Sequence, residues 1–93
     1  MFVLHVAIRI KPGHTDAAEK LFAGAFTAAI SAQPGFKAVH LLRPLESGEF
    51  ILSIAFENQA LQQQWVATEL HTRVWSEMED HLEAYAVKTF TAV

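Results

Sequence analysis

Four stretches that alternate with a period of two, two regions whose apolar side chains recur every three or four residues, and the order of these segments predict an α+β domain. The order is β-α-β-β-α-β, the ferredoxin-like arrangement of one antiparallel sheet with helices on one face. At 93 residues the chain is one domain, residues 1–93, because a second core would not fit.

The first stretch, Phe2 to Ile10, puts Phe2, Leu4, Val6, Ile8 and Ile10 on one face and Val3, His5, Ala7 and Arg9 on the other. The apolar face is expected to lie under helices. Lys11-Pro12-Gly13 reads as a turn, and Thr15 with Asp16 suits a helix start. Leu21, Phe22, Ala25, Phe26, Ala29 and Ile30 then form the apolar stripe of a helix of about 18 residues. Gln33-Pro34-Gly35 ends it, since proline disfavours helical geometry in the residue before it.

Phe36 to Arg43 is the second strand, with Phe36, Ala38, His40 and Leu42 opposed to Lys37, Val39, Leu41 and Arg43. A connection through Pro44 to Gly48 leads into a third strand, Glu49 to Phe56, whose Phe50, Leu52, Ile54 and Phe56 share a face. Asn58 is an expected N-cap for a short helix through Leu61 and Trp65, and Thr68 for another that carries His71 and Trp75 at i and i+4. Glu83 to Ala92 closes the chain as a fourth strand.

Composition narrows the function. There is no cysteine, so disulfides and thiolate zinc sites are excluded. Seven Lys and Arg against ten Asp and Glu give a net charge of −3, with the basic residues scattered singly, so no nucleic-acid partner is expected. No apolar run approaches the roughly 20 residues of a membrane span, and His5 and Arg9 interrupt Phe2 to Ile10, unlike a signal-peptide core. A soluble cytoplasmic protein without a membrane partner is the expectation.

The five histidines show no HxxxH or HExxH spacing, no GxSxG elbow surrounds a serine, and no glycine-rich phosphate loop occurs, so no metal and no cofactor are expected. An apolar fraction of 52% is more than a small monomer needs, so part of that surface is expected to meet another chain. Val3, Ala7, Val39 and Leu41 are assigned to the sheet face without helices, which predicts a homodimer packed through that face. If the faces that carry His5 and His40 meet the partner sheet, these two become polar residues of the barrel interior.

The combined order of Pro34-Gly35-Phe36, Leu42-Arg43-Pro44, an apolar strand ending at Phe56, Glu57-Asn58, Trp65 and His71 resembles the antibiotic biosynthesis monooxygenase family over nearly the whole chain. The resemblance implies a dimeric α+β barrel with a pocket between sheet and helices in each protomer. It also implies a range of activities, from cofactor-independent oxygenases of phenols and quinols to haem-degrading enzymes and members without assigned activity. This chain departs from the haem-degrading branch: Trp75 stands where that branch has its iron-ligating histidine, and Val6 where it has an asparagine. Phe56 replaces a family tryptophan, and Leu52 stands where polyketide oxygenases have an asparagine.

Oxidation by dioxygen alone needs an electron-rich ring, a base of near-neutral pKa and a dry aromatic pocket. His71 is the expected base and Trp65 its catalytic neighbour, with Val6, Phe22, Phe26, Leu52, Phe56 and Trp75 expected to contact a small aromatic molecule. The competing reading makes His71 a packed helix-end residue and both tryptophans core or dimer-contact residues. The functional expectation is therefore a cofactor-independent monooxygenase of a small phenol or quinol. The alternatives are a non-catalytic ligand-binding or stress-linked module of the same fold and, less favoured, haem binding.

Overall fold

The computed structural model describes residues 1–93. Strands β1 (Phe2–Ile10), β2 (Phe36–Leu42), β3 (Phe50–Phe56) and β4 (Leu82–Thr91) form one antiparallel sheet in the order β2-β3-β1-β4. Between β1 and β2 runs a helical segment of α1 (Thr15–Leu21), a π-helical turn (Phe22–Phe26) and α2 (Thr27–Ser31). Between β3 and β4 lie α3 (Gln59–Val66) and α4 (Glu69–Glu79). The expected ferredoxin-like order and the broken second helical region are both present.

Register explains why the core lies on one face. Val6 pairs with Leu52 and with Val87, and Leu4 pairs with Ile54 and with Thr89, so these rows point the same way. Val6, Ile8, Leu52, Ile54 and Phe56 are buried there against Phe26, Ile30, Trp65, Val74 and Met78 from the helices. At about 25 cal/mol for each Å² of apolar surface removed from water, this cluster is the main force holding helices to sheet.

Both predicted caps form. Asn58 Oδ1 accepts a hydrogen bond from the Leu61 amide at 2.9 Å, and Thr68 Oγ1 accepts from the His71 amide at 3.1 Å. The Thr68 hydroxyl also donates to the Trp65 carbonyl at 2.8 Å. One side chain thus closes the end of α3 and the start of α4.

Two assignments need correction, and each has a local cause. Val39 and Leu41 do not face away from the helices: Val39 pairs with Ile54 and Leu41 with Leu52, and both pack on the core. The register shifts between Phe36 and Ala38, so Lys37 is an extra residue and the alternation of β2 changes phase. The face without helices therefore carries Val3, His5, Ala7, Ala38, His40, Ile51, Ser53 and Ala55. His5 and His40 flank Ser53 across three strands, and His5 meets Phe90 edge-on with centroids 5.0 Å apart.

The second correction concerns the stripe of the first helix. Ala25 is exposed, whereas Ala18, Phe26, Ala29 and Ile30 are buried. A π-helical turn holds one more residue than the α-helical turn it replaces, so the stripe slips by one position. The Thr27 hydroxyl donates to the Phe22 carbonyl at 2.7 Å and occupies an acceptor at this irregularity.

Arg43 at the end of β2 makes two N–H···O bonds to the Glu19 carboxylate, which holds that carboxyl below its usual range. The pair is at the surface and contributes little to stability. His14 and His81 share a hydrogen bond between their Nδ1 atoms at 3.0 Å, joining the start of α1 to the turn after α4.

Candidate active site

A cavity of about 540 Å³ opens between the sheet, α3 and α4. Val6, Leu52, Leu4 and Ile54 form its floor, and Tyr85, Val87 and Thr89 of β4 form one side. That side stays open because β4 is the sheet edge and its Tyr85 and Val87 are exposed. Phe26 reaches it from the π-helical turn, and Trp65, His71 and Trp75 reach it from the opposite helices.

Trp65 is 2% exposed and forms the junction of core and cavity. Phe26 meets its ring at 80° with centroids 6.5 Å apart, and the His71 imidazole meets it at 89° and 5.0 Å. Trp75 meets Tyr85 at 90° and 5.2 Å, linking α4 to β4 at the cavity. Edge-to-face pairs place the positive rim of one ring against the negative face of another and fix ring orientation.

His71 sits in this aromatic corner half-buried, and burial pushes its imidazole below the ordinary value of 6.5. It is therefore neutral at pH 7, the form that accepts a proton. Because the folded group titrates lower than the unfolded one, its contribution to stability is complete above pH 6.5 and is lost as pH falls through 6.5 toward the folded value. We expect His71→Leu to lose less stability than the unaltered chain on acidification from about pH 7.5 to about pH 5.5, measured by urea unfolding at both values. Equal losses would show that His71 is as hydrated folded as unfolded.

Of the residues assigned to the site from the sequence, His71, Trp65, Val6, Phe26, Leu52 and Trp75 line the cavity. Phe22 and Phe56 do not. Phe22 stacks on Phe26 at 6.0 Å but lines a separate cleft with Leu41, Phe50 and Arg43. Phe56 is fully buried at the end of β3, where it packs edge-on against Phe36 with centroids 6.1 Å apart. The alternation that placed Phe56 beside Leu52 is right about the face, but the cavity ends short of it.

Among the lining residues that escaped sequence reasoning are Tyr85, Val87 and Thr89 of β4 and the polar Gln59, Gln62 and Gln63 of α3. A polar run such as Gln62-Gln63-Gln64 reads as a solvated helix face. The available signal was spacing, since Gln62 stands three residues before Trp65 and shares its side of the helix.

A ferredoxin-like domain with an aromatic cavity between its sheet and its second helical region is thus defined. The family model for antibiotic biosynthesis monooxygenases matches residues 1–77, and the chain belongs to that family. Among solved structures, a candidate antibiotic biosynthesis monooxygenase from Nitrosomonas europaea superposes with a TM-score of 0.85 at 17% identity, covering 100% of this chain and 99% of that one. A similar protein from Deinococcus radiodurans gives 0.85 at 14% identity, over 100% and 93% of the two chains. A mutant of MhuD, solved with two manganese protoporphyrin IX molecules bound per active site, gives 0.83 at 23% identity, over 100% and 95%. At these identities the likeness establishes the fold. No curated protein sequence matches the chain.

Proposed function

We propose that the chain is a cofactor-independent monooxygenase acting on a small phenol or quinol. The observation that carries this reading is the neutral, half-buried His71 set edge-on against Trp65 at an apolar cavity. Family membership and the monooxygenase names of its structural neighbours support the reaction class.

In the proposed reaction His71 takes a proton from the bound phenol, and the electron-rich anion transfers an electron to dioxygen. Recombination forms a carbon–oxygen bond, and the resulting peroxide takes a proton back from His71. Cleavage of the O–O bond then releases water and leaves a carbonyl, so a phenol and one dioxygen become a quinone and one water. The substrate supplies all the electrons. The apolar floor excludes water that would compete for the anion.

The test is oxygen uptake by the chain with a panel of phenols and hydroquinones. We expect uptake to require His71, with His71→Ala reducing turnover by about 10². We expect the acidic limb of the pH profile to lie below 6.5, because burial lowers the pKa of the base. No uptake above background from a folded protein would leave the ligand-binding reading. A Soret band on adding haem, abolished in His71→Ala, would instead favour porphyrin binding of the kind the MhuD structure displays.

We also propose that the chain works as a homodimer through the sheet face that carries Val3, Ala7, Ala38, Ile51 and Ala55. These small and apolar side chains have no helix over them. Light scattering should give twice the 10.3 kDa chain mass at micromolar concentration. A mass of one chain would overturn the dimer.

A further inference from the structure

Gln62 is the one buried polar side chain of the molecule, at 9% exposure, and it lines the cavity. Its backbone amide continues the helix by donating to the Asn58 carbonyl at 3.3 Å. Its carboxamide has no hydrogen-bond partner in the chain. Yet no side-chain nitrogen or oxygen is both sealed from solvent and unpartnered. The carboxamide must therefore reach open space through the small exposed fraction of the residue, and the space that Gln62 borders is the cavity.

A buried amide left without a partner is a cost to folding, which a leucine at this helix position would avoid. Gln59 and Gln63 also line the cavity, but both are exposed. A ligand contact there merely exchanges one hydrogen bond for another with water. At Gln62 the surrounding apolar wall makes a ligand oxygen worth more, because the alternative is a poorly hydrated amide.

Resting on the aromatic-pocket reading above, we propose that Gln62 is a specificity-determining residue that selects rings bearing a hydroxyl or carbonyl oxygen over bare aromatic hydrocarbons. A carboxamide suits both ends of a phenol-to-quinone conversion. Its oxygen accepts from a ring hydroxyl, and its NH₂ donates to a ring carbonyl or phenolate. It anchors an oxygen of the ring in either oxidation state, while His71 handles the proton.

The experiment is a calorimetric titration of the full chain and of Gln62→Leu with 1-naphthol and with 1-methylnaphthalene, two rings of similar size that differ in hydroxyl against methyl. The comparison is the ratio of the two affinities in each protein, in which the ligands' different solubilities cancel. We expect the preference for 1-naphthol to fall about tenfold in Gln62→Leu, the worth of one hydrogen bond in a dry setting, with methylnaphthalene binding unchanged or tighter. The thermal midpoint of Gln62→Leu should be no lower than that of the unaltered chain, whereas a glutamine held for structure would lower it. An unchanged ratio with both compounds bound would overturn the role of Gln62 alone. Failure of both compounds to bind the unaltered chain would overturn the aromatic-pocket reading with it. Gln62→Met, which keeps the length of the side chain and removes its amide, should repeat the leucine result; a retained preference for naphthol there would also overturn the proposal.

Discussion

Trp65→Ala is expected to destabilise the chain by about 3–5 kcal/mol, the range for removing a large buried aromatic. Trp65 is 2% exposed and packs edge-on to both Phe26 and His71, so its loss removes apolar contact and two oriented ring pairs together. The vacated volume would also join a cavity of about 540 Å³ that is already open, leaving neighbours little reason to collapse inward. In a domain of this size each kcal/mol corresponds to roughly 4–8 °C in melting temperature, so the variant should be close to unfolding at 37 °C. Urea unfolding followed by circular dichroism checks this. A loss below about 1 kcal/mol would show that the tryptophan lines the cavity without supporting it.

Gly35→Ala should cost about 3 kcal/mol, from two independent sources. Gly35 has φ +79°, a left-handed conformation that costs an L-residue about 1–2 kcal/mol. A Cβ there would also lie 2.5 Å from Leu61 Cδ1 and 3.0 Å from Leu61 Cβ, which forces α3 away from the start of β2. Gly13 supplies the control, since it has φ +81° but nothing within 4 Å of an added Cβ. Gly13→Ala should show only the backbone cost. The difference between the two variants measures the Leu61 contact, and Leu61→Ala combined with Gly35→Ala should recover part of it. Equal losses in Gly13→Ala and Gly35→Ala would mean that α3 shifts without cost.

The strands were legible because burial on one face imposes strict alternation, as in Leu4, Val6 and Ile8 against Leu52 and Ile54. The caps were legible because Asn58 and Thr68 act within three residues of themselves. What stayed hidden depends on one-residue irregularities that no periodicity announces. The bulge at Lys37 moved Val39 and Leu41 to the core face, and the π-helical turn moved Ala25 to solvent. The site divided in the same way. His71, Trp65 and Trp75 stand out by residue type, and Leu52 by its face. Phe56 failed because a shared face does not say where along the strand a cavity ends. Gln62 failed because its burial arises from the tertiary fold, within a run of glutamines that locally resembles a wet surface.

Thr68 joins the two residues at the centre of the proposed chemistry, accepting from the His71 amide while donating to the Trp65 carbonyl. The backbones that carry the tryptophan and the histidine are therefore tied together within a stretch of seven residues. Closing so short a loop is fast compared with forming the long-range ladder between β1 and β4. During folding, the ring pair should assemble before the walls of the cavity that it serves. A substitution in Gln62 can then change which molecule is admitted while the Thr68 bridge between the two backbones is kept.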